Sequence, residues 1–142
     1  MGTLNLEDVL DEIVARDARY DRAAYLFVRD ALAFTQKRVH RAASGPPRHV
    51  TGQELLEGIR TYALEQFGPM AKLVLNEWGV QVCEDFGEIV FNMVDAQVLA
   101  KTDRDSREDF RGGYDFDEAF CQPFRPSAAR RSSRSSKPTR RL

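Results

Sequence analysis

Seven basic side chains close the chain: Arg125, Arg130, Arg131, Arg134, Lys137, Arg140 and Arg141, with no acid anywhere in 125–142. The chemistry open to such a set is electrostatic. It would neutralise phosphates of RNA or DNA without reading sequence, and the contact would weaken with salt. The same segment holds Ser127, Ser132, Ser133, Ser135, Ser136 and Thr139 with Pro126 and Pro138, and only Ala128, Ala129 and Leu142 are apolar. It cannot bury enough surface to offset its ordering entropy, so it reads as a disordered tail. Two other readings stand beside nucleic acid: the tail folds back on an acidic body, or it merely solvates the terminus. An anionic membrane would need an amphipathic helix or a lipidation signal, and the tail has neither.

Nucleophilic chemistry has one candidate pair. Cys83 and His49 could meet in space, but no third residue is indicated to orient them. Glu84 and Asp85 follow Cys83 directly and oppose any lowering of its pKa by a helix start, so an idle or buried thiol is the default. For metals, the two cysteines (Cys83, Cys121) and two histidines (His40, His49) lack zinc spacing. Asp103, Asp105 and Asp109 match positions 1, 3 and 7 of a calcium loop. Glu108 stands where that loop needs glycine and Tyr114 where it needs a bidentate Glu, so the segment reads as a solvated turn with local ion pairs. No phosphate-binding or dinucleotide glycine pattern occurs. No catalytic, cofactor-binding or metal residue is therefore assigned, and no cofactor is expected. The aromatics Phe110, Tyr114, Phe116, Phe120 and Phe124 could stack bases. Asp115, Asp117 and Glu118 among them would repel a phosphate backbone, so pinning a terminal segment onto the core is the favoured role.

These residues must be placed by a chain of 142 residues with 42% hydrophobic content, enough for one domain with a real core. The formal net charge is −1, yet the tail takes 7 of the 21 basic residues, leaving 14 against all 22 acids in the body. The reading is a single domain over 1–124 and a basic tail over 125–142. No apolar run approaches the roughly 18 residues of a membrane span. Met1 to Asp17 is acidic and amphipathic rather than leader-like. Two unpaired cysteines suit a reducing compartment, so a cytoplasmic protein is expected.

Apolar spacing predicts five helices. The first runs from about Asn5 to Ala15, with Leu6, Val9, Leu10, Ile13 and Val14 on one face. The second spans about Arg22 to Arg41, capped by Asp21. These two make an N-terminal pair over 1–41. Ala42 to Pro47 reads as a loop. Thr51 and Glu54 form a capping box, with Val50 and Leu55 as a hydrophobic staple, and the third helix should stop at Gly68. Pro69 to Trp78 predicts a fourth helix and Glu84 to Ala96 a fifth, in which Gly87 implies a close helix–helix contact. Gln97 to Thr102 reads as a short strand, and Asp115 with Glu118 could cap a last turn ending before Pro123.

Met70 to Asp103 as a whole resembles the helix-turn-helix and first wing strand of a winged-helix domain, carried by Trp78-Gly79-Val80 between two helices. The resemblance implies a leading helix at Thr51 to Phe67, a wing at Asp103 to Gly113 and a return strand near Phe110 to Phe116. The whole winged-helix-like half would be 51–116. The family's DNA-reading role does not carry over. The second helix bears Glu84, Asp85, Glu88 and Asp95 with only Asn92 as a neutral polar group, and such a face repels phosphate.

A second resemblance rests on His49-Val50-Thr51-Gly52-Gln53-Glu54-Leu55-Leu56, Gln66-Phe67-Gly68-Pro69-Met70-Ala71 and Asp85-Phe86-Gly87-Glu88-Ile89-Val90-Phe91-Asn92, with Lys101-Thr102 and Tyr114-Asp115-Phe116. These strings are similar to a family of conserved hypothetical proteins known from planctomycetes and verrucomicrobia. It has no assigned activity, so no site residue carries over.

The expected fold is mainly α, with a small β-hairpin wing and a disordered basic tail. The expected function is that of a non-enzymatic binding or adaptor protein. Its acidic body would contact an unidentified protein, and its tail would add weak, non-specific attraction for RNA or DNA, with no membrane partner. Two alternatives remain: a small enzyme assembled from scattered Asp and Glu with His49 and Cys83, or a structural subunit of a larger complex.

Overall fold

The computed structural model describes residues 5–42, 50–99 and 107–124. Five α-helices account for most of them: α1 (Leu6–Arg16), α2 (Arg22–Ala42), α3 (Gly52–Phe67), α4 (Ala71–Glu77) and α5 (Cys83–Asp95). Asn5 caps α1, its side chain accepting from the Glu7 N–H at 2.9 Å, and Val9, Leu10 and Ile13 face inward. Asp21 starts α2 by accepting from the Ala23 N–H at 2.8 Å. The expected capping box begins α3. The Thr51 N–H donates to Glu54 at 3.0 Å, and the Glu54 N–H to the Thr51 hydroxyl oxygen at 3.1 Å.

α2 and α3 cross where Gly58 meets Thr35. Any Cβ at 58 would overlap the Thr35 hydroxyl, which itself donates to the Ala31 carbonyl at 2.7 Å. Gly68 ends α3 at φ +53, and a 3-10 turn, Gly68–Met70, leads into α4. Gly79 then reverses the chain at φ +92 and lies on the Arg19 carbonyl, where a Cβ would overlap. That close approach, with Asp21 N–H donating to Trp78 O at 3.0 Å, ties the α1–α2 corner to the α4–α5 turn.

α5 packs against α2, α3 and the 3-10 turn at Arg107–Phe110. Phe86, Ile89, Phe91 and Met93 are buried in a core shared by all five helices and the segment that follows. That segment contains 3-10 turns at Arg107–Phe110 and Gln122–Phe124 around a π-turn at Asp117–Cys121.

The described residues contain no β-strand, so the expected β-hairpin wing finds no support among them. Where Gln97 to Thr102 was to begin a strand, the chain instead closes α5 with a Schellman motif. The Gln97 N–H donates to Val94 O at 2.9 Å and the Val98 N–H to Met93 O at 2.8 Å, with Gln97 left-handed at φ +66. Those bonds leave Val98 and Leu99 in a bend. Phe110 to Phe116, the expected return strand, is the end of a 3-10 turn, a turn and three residues of irregular backbone leading into helical Phe116, with Phe110 and Phe116 buried. The rest of the expected strand and wing, 100–106, lies outside the described residues. The last turn does start on Asp115, which accepts from the Glu118 N–H at 3.1 Å, but it runs on through Pro123 to Phe124.

Candidate functional site

Two of the four acids on α5, Asp85 and Glu88, bond to the protein's own N-terminal corner, while Glu84 and Asp95 are exposed. Asp85 accepts from the backbone N–H groups of Gln81 at 2.9 Å and Val82 at 3.2 Å, holding the start of the helix. Its other oxygen accepts from the Tyr20 hydroxyl at 2.5 Å. Glu88, one turn on, pairs with Arg19 at 3.3 Å. Asn92, a further turn on, donates to Asp17 at 3.0 Å and to the Tyr25 hydroxyl at 3.1 Å. Asp17 also takes two bonds from the Arg19 guanidinium, at 2.6 and 2.8 Å. Those Arg19 bonds hold the Asp17 carboxyl well below its ordinary range. Burial, and then Asp85, push the Tyr20 hydroxyl up. Three side chains at i, i+3 and i+7 are thus committed inside the molecule, Asn92 among them. The sequence revealed the acids on this helix but not their partners, which lie more than sixty residues away.

On another side of α5 sits the aromatic segment. Phe116 and Phe120 meet edge to face with centroids 5.1 Å apart, and Phe86 lies 5.7 Å from Phe116. The Tyr114 hydroxyl donates to Leu56 O at 2.8 Å. Phe110, Phe116 and Phe120 are buried, so three of the five aromatics pin the segment as the sequence implied, and Tyr114 is tethered beside them. Phe124 differs, being 48% exposed. Gly87 has its reason here: its close neighbour is Phe110, at the end of the 3-10 helix Arg107–Phe110, and a Cβ would sit 3.0 Å from that side chain.

Cys83 is buried against the same segment. Its thiol lies 3.5 Å from Tyr114 O, and burial pushes its pKa up to about 11. A thiol so protonated and enclosed is a poor nucleophile. His49 lies outside the described residues, as do Asp103, Asp105 and all seven tail residues from Arg125 to Arg141. Among the described residues no three His, Cys, Asp or Glu side chains group to hold a metal ion, and no helix is long and apolar enough to cross a membrane.

A feature that the sequence did not announce is a pocket of about 190 Å³ beside α5. Leu32 and Gln36 come from α2, Thr51 and Leu55 from α3 and its cap, Val90 and Val94 from α5, and Phe110 from the C-terminal segment. No lining residue is ionisable. The convergence of these side chains depends on how α2 and α5 pack, which no local spacing shows. Away from the pocket, Met70 (52% exposed) and Leu73 (54%) project from the start of α4. The turn that precedes Phe124 packs on this same helix and on Gly68–Met70.

No family model matches the chain, and neither does any curated protein or solved structure. The functional reading therefore stands on the chain's own residues.

Proposed function

We propose that the protein is a non-enzymatic binding or adaptor protein, with kinship to the planctomycete and verrucomicrobial family whose motifs it resembles. Its acidic body docks protein, and its basic tail adds weak, non-specific attraction for RNA or DNA. The observation that carries the docking half is the pair Met70 and Leu73, each more than half exposed one turn apart, with Phe124 exposed after the turn packed on α4. A contiguous exposed apolar patch marks a contact surface, and we take these side chains as its centre. α4 and α5 retain a helix-turn-helix order around Gly79. Groove reading by α5 has no support, because Asp85, Glu88 and Asn92 bond to the protein's own corner.

The tail is tested by fluorescence anisotropy with random RNA and duplex DNA, comparing the whole chain with a variant whose seven tail cations are changed to Gln. The wild type should bind with a log–log salt slope no steeper than about −6 on duplex DNA, and the variant should lose binding. Equal binding by both would move the nucleic-acid contact to the body and sink this reading. For the body, Leu73→Glu should remove a cross-linked partner that the wild type captures in cells. A cross-linking pattern identical in both proteins would count against α4 as the docking face.

A further inference from the structure

We infer that the pocket between α2, α3 and α5 is a binding site for a small uncharged molecule with an aromatic or branched aliphatic body and one hydrogen-bonding group. This goes beyond the docking function and does not depend on it. The volume, about 190 Å³, is the first argument. The pocket is partly open to solvent, and its space exceeds the roughly 150 Å³ of an engineered apolar cavity that holds benzene. Lining chemistry is the second. Leu32, Leu55, Val90, Val94 and Phe110 supply walls from four separate parts of the chain, with no cation or anion among them. A charged ligand would lose its hydration there without a counter-charge, so the occupant is neutral. The third argument is the polar rim. Gln36 lines the pocket from an exposed position, where its side-chain amide is open to a ligand as it is to water. Thr51 is also at the wall, its hydroxyl oxygen accepting from the Glu54 N–H and its O–H left to donate. A few polar groups at the mouth of an apolar hollow can orient a small ligand.

The test is a titration of the full chain, methyl-labelled at Leu and Val, with phenol at neutral pH, read by NMR. Phenol should shift the methyls of Leu32, Leu55, Val90 and Val94 saturably, while those of Leu10, Val28 and Leu75, buried elsewhere, stay in place. Benzoate, the same ring with a charge, should give no saturable shift at the same concentration. Val94→Phe and Leu32→Phe fill the pocket from α5 and from α2. Either variant that keeps its helical circular dichroism should bind phenol at least about tenfold more weakly. Segments 43–49 and 100–106 adjoin the wall residues Val50 and Leu99 in sequence. If the chain's own residues fill the space, no saturable shift will be seen, and the inference falls. It falls equally if benzoate matches phenol or if a folded filled variant binds as well as wild type.

Discussion

Asp85, Glu88 and Asn92 on one side of α5 are each held by a directed bond to Tyr20, Arg19 or Asp17, whereas Cys83, Phe86 and Gly87 meet the C-terminal segment through shape. The two contacts fix different things. A hydrogen bond exchanges partners with water and nets about 1 kcal/mol, but it is lost with small changes of angle or distance. It therefore sets the register of α5 against the α1–α2 corner more than it adds stability. The aromatic side removes rings from water, and each ring contributes more, with less demand on angle. The first contact specifies the arrangement, and the second supplies most of the free energy that keeps it.

That division can be broken most visibly at Phe120, which is fully buried among Tyr114 and Phe116. Phe120→Ala should lower the unfolding free energy by about 3–5 kcal/mol in urea titrations. A loss under about 1 kcal/mol would mean that the C-terminal segment is not part of the cooperative core.

The polar side should show itself in acid instead. The Arg19 bonds lower the folded pKa of Asp17 from an ordinary 3.8. As pH falls past that ordinary value the unfolded chain takes up the proton first, so stability is present above it and is lost toward the folded pKa. Thermal unfolding at pH 7 and pH 3 should therefore show a smaller acid-induced drop in Asp17→Asn than in wild type. Equal drops would remove Asp17 from the network. Asp17 is partly exposed, so the effect will be smaller than that of Phe120→Ala.

The helices were legible in the sequence because their signals are local. Asn5, Asp21 and the Thr51–Glu54 box cap from within a turn of the residues they serve. Asp115 starts the last turn in the same way. The pinning role of Phe110, Phe116 and Phe120 was legible too, since interleaved acids left little else for the rings to do. The pocket and the Asp17–Asn92 bond were not, because each joins residues from elements far apart in sequence. Gly87 was legible as a close contact but not as to its neighbour, for a glycine signals that something approaches and not what. Cys83 shows the same limit: its spacing could not tell a buried thiol from a reactive one, and burial decides between them.

The missed strand is the most instructive case. Val98, Leu99 and Ala100 have strand-like composition, yet the bonds from Gln97 and Val98 back to α5 hold the chain in a helix-ending turn. Gln97 carries a side chain at φ +66, a conformation that costs an ordinary residue roughly 1–2 kcal/mol and glycine almost nothing. Gln97→Gly should therefore raise stability by about 0.5–1 kcal/mol, the net of relieved strain and a more flexible unfolded chain. Gln97→Val should lower it, because a β-branched residue tolerates that region worst. A strand at this position would reverse both signs, since glycine weakens strands and valine favours them. Two urea midpoints, one from each variant, thus decide between a capped helix end and the first strand of a wing.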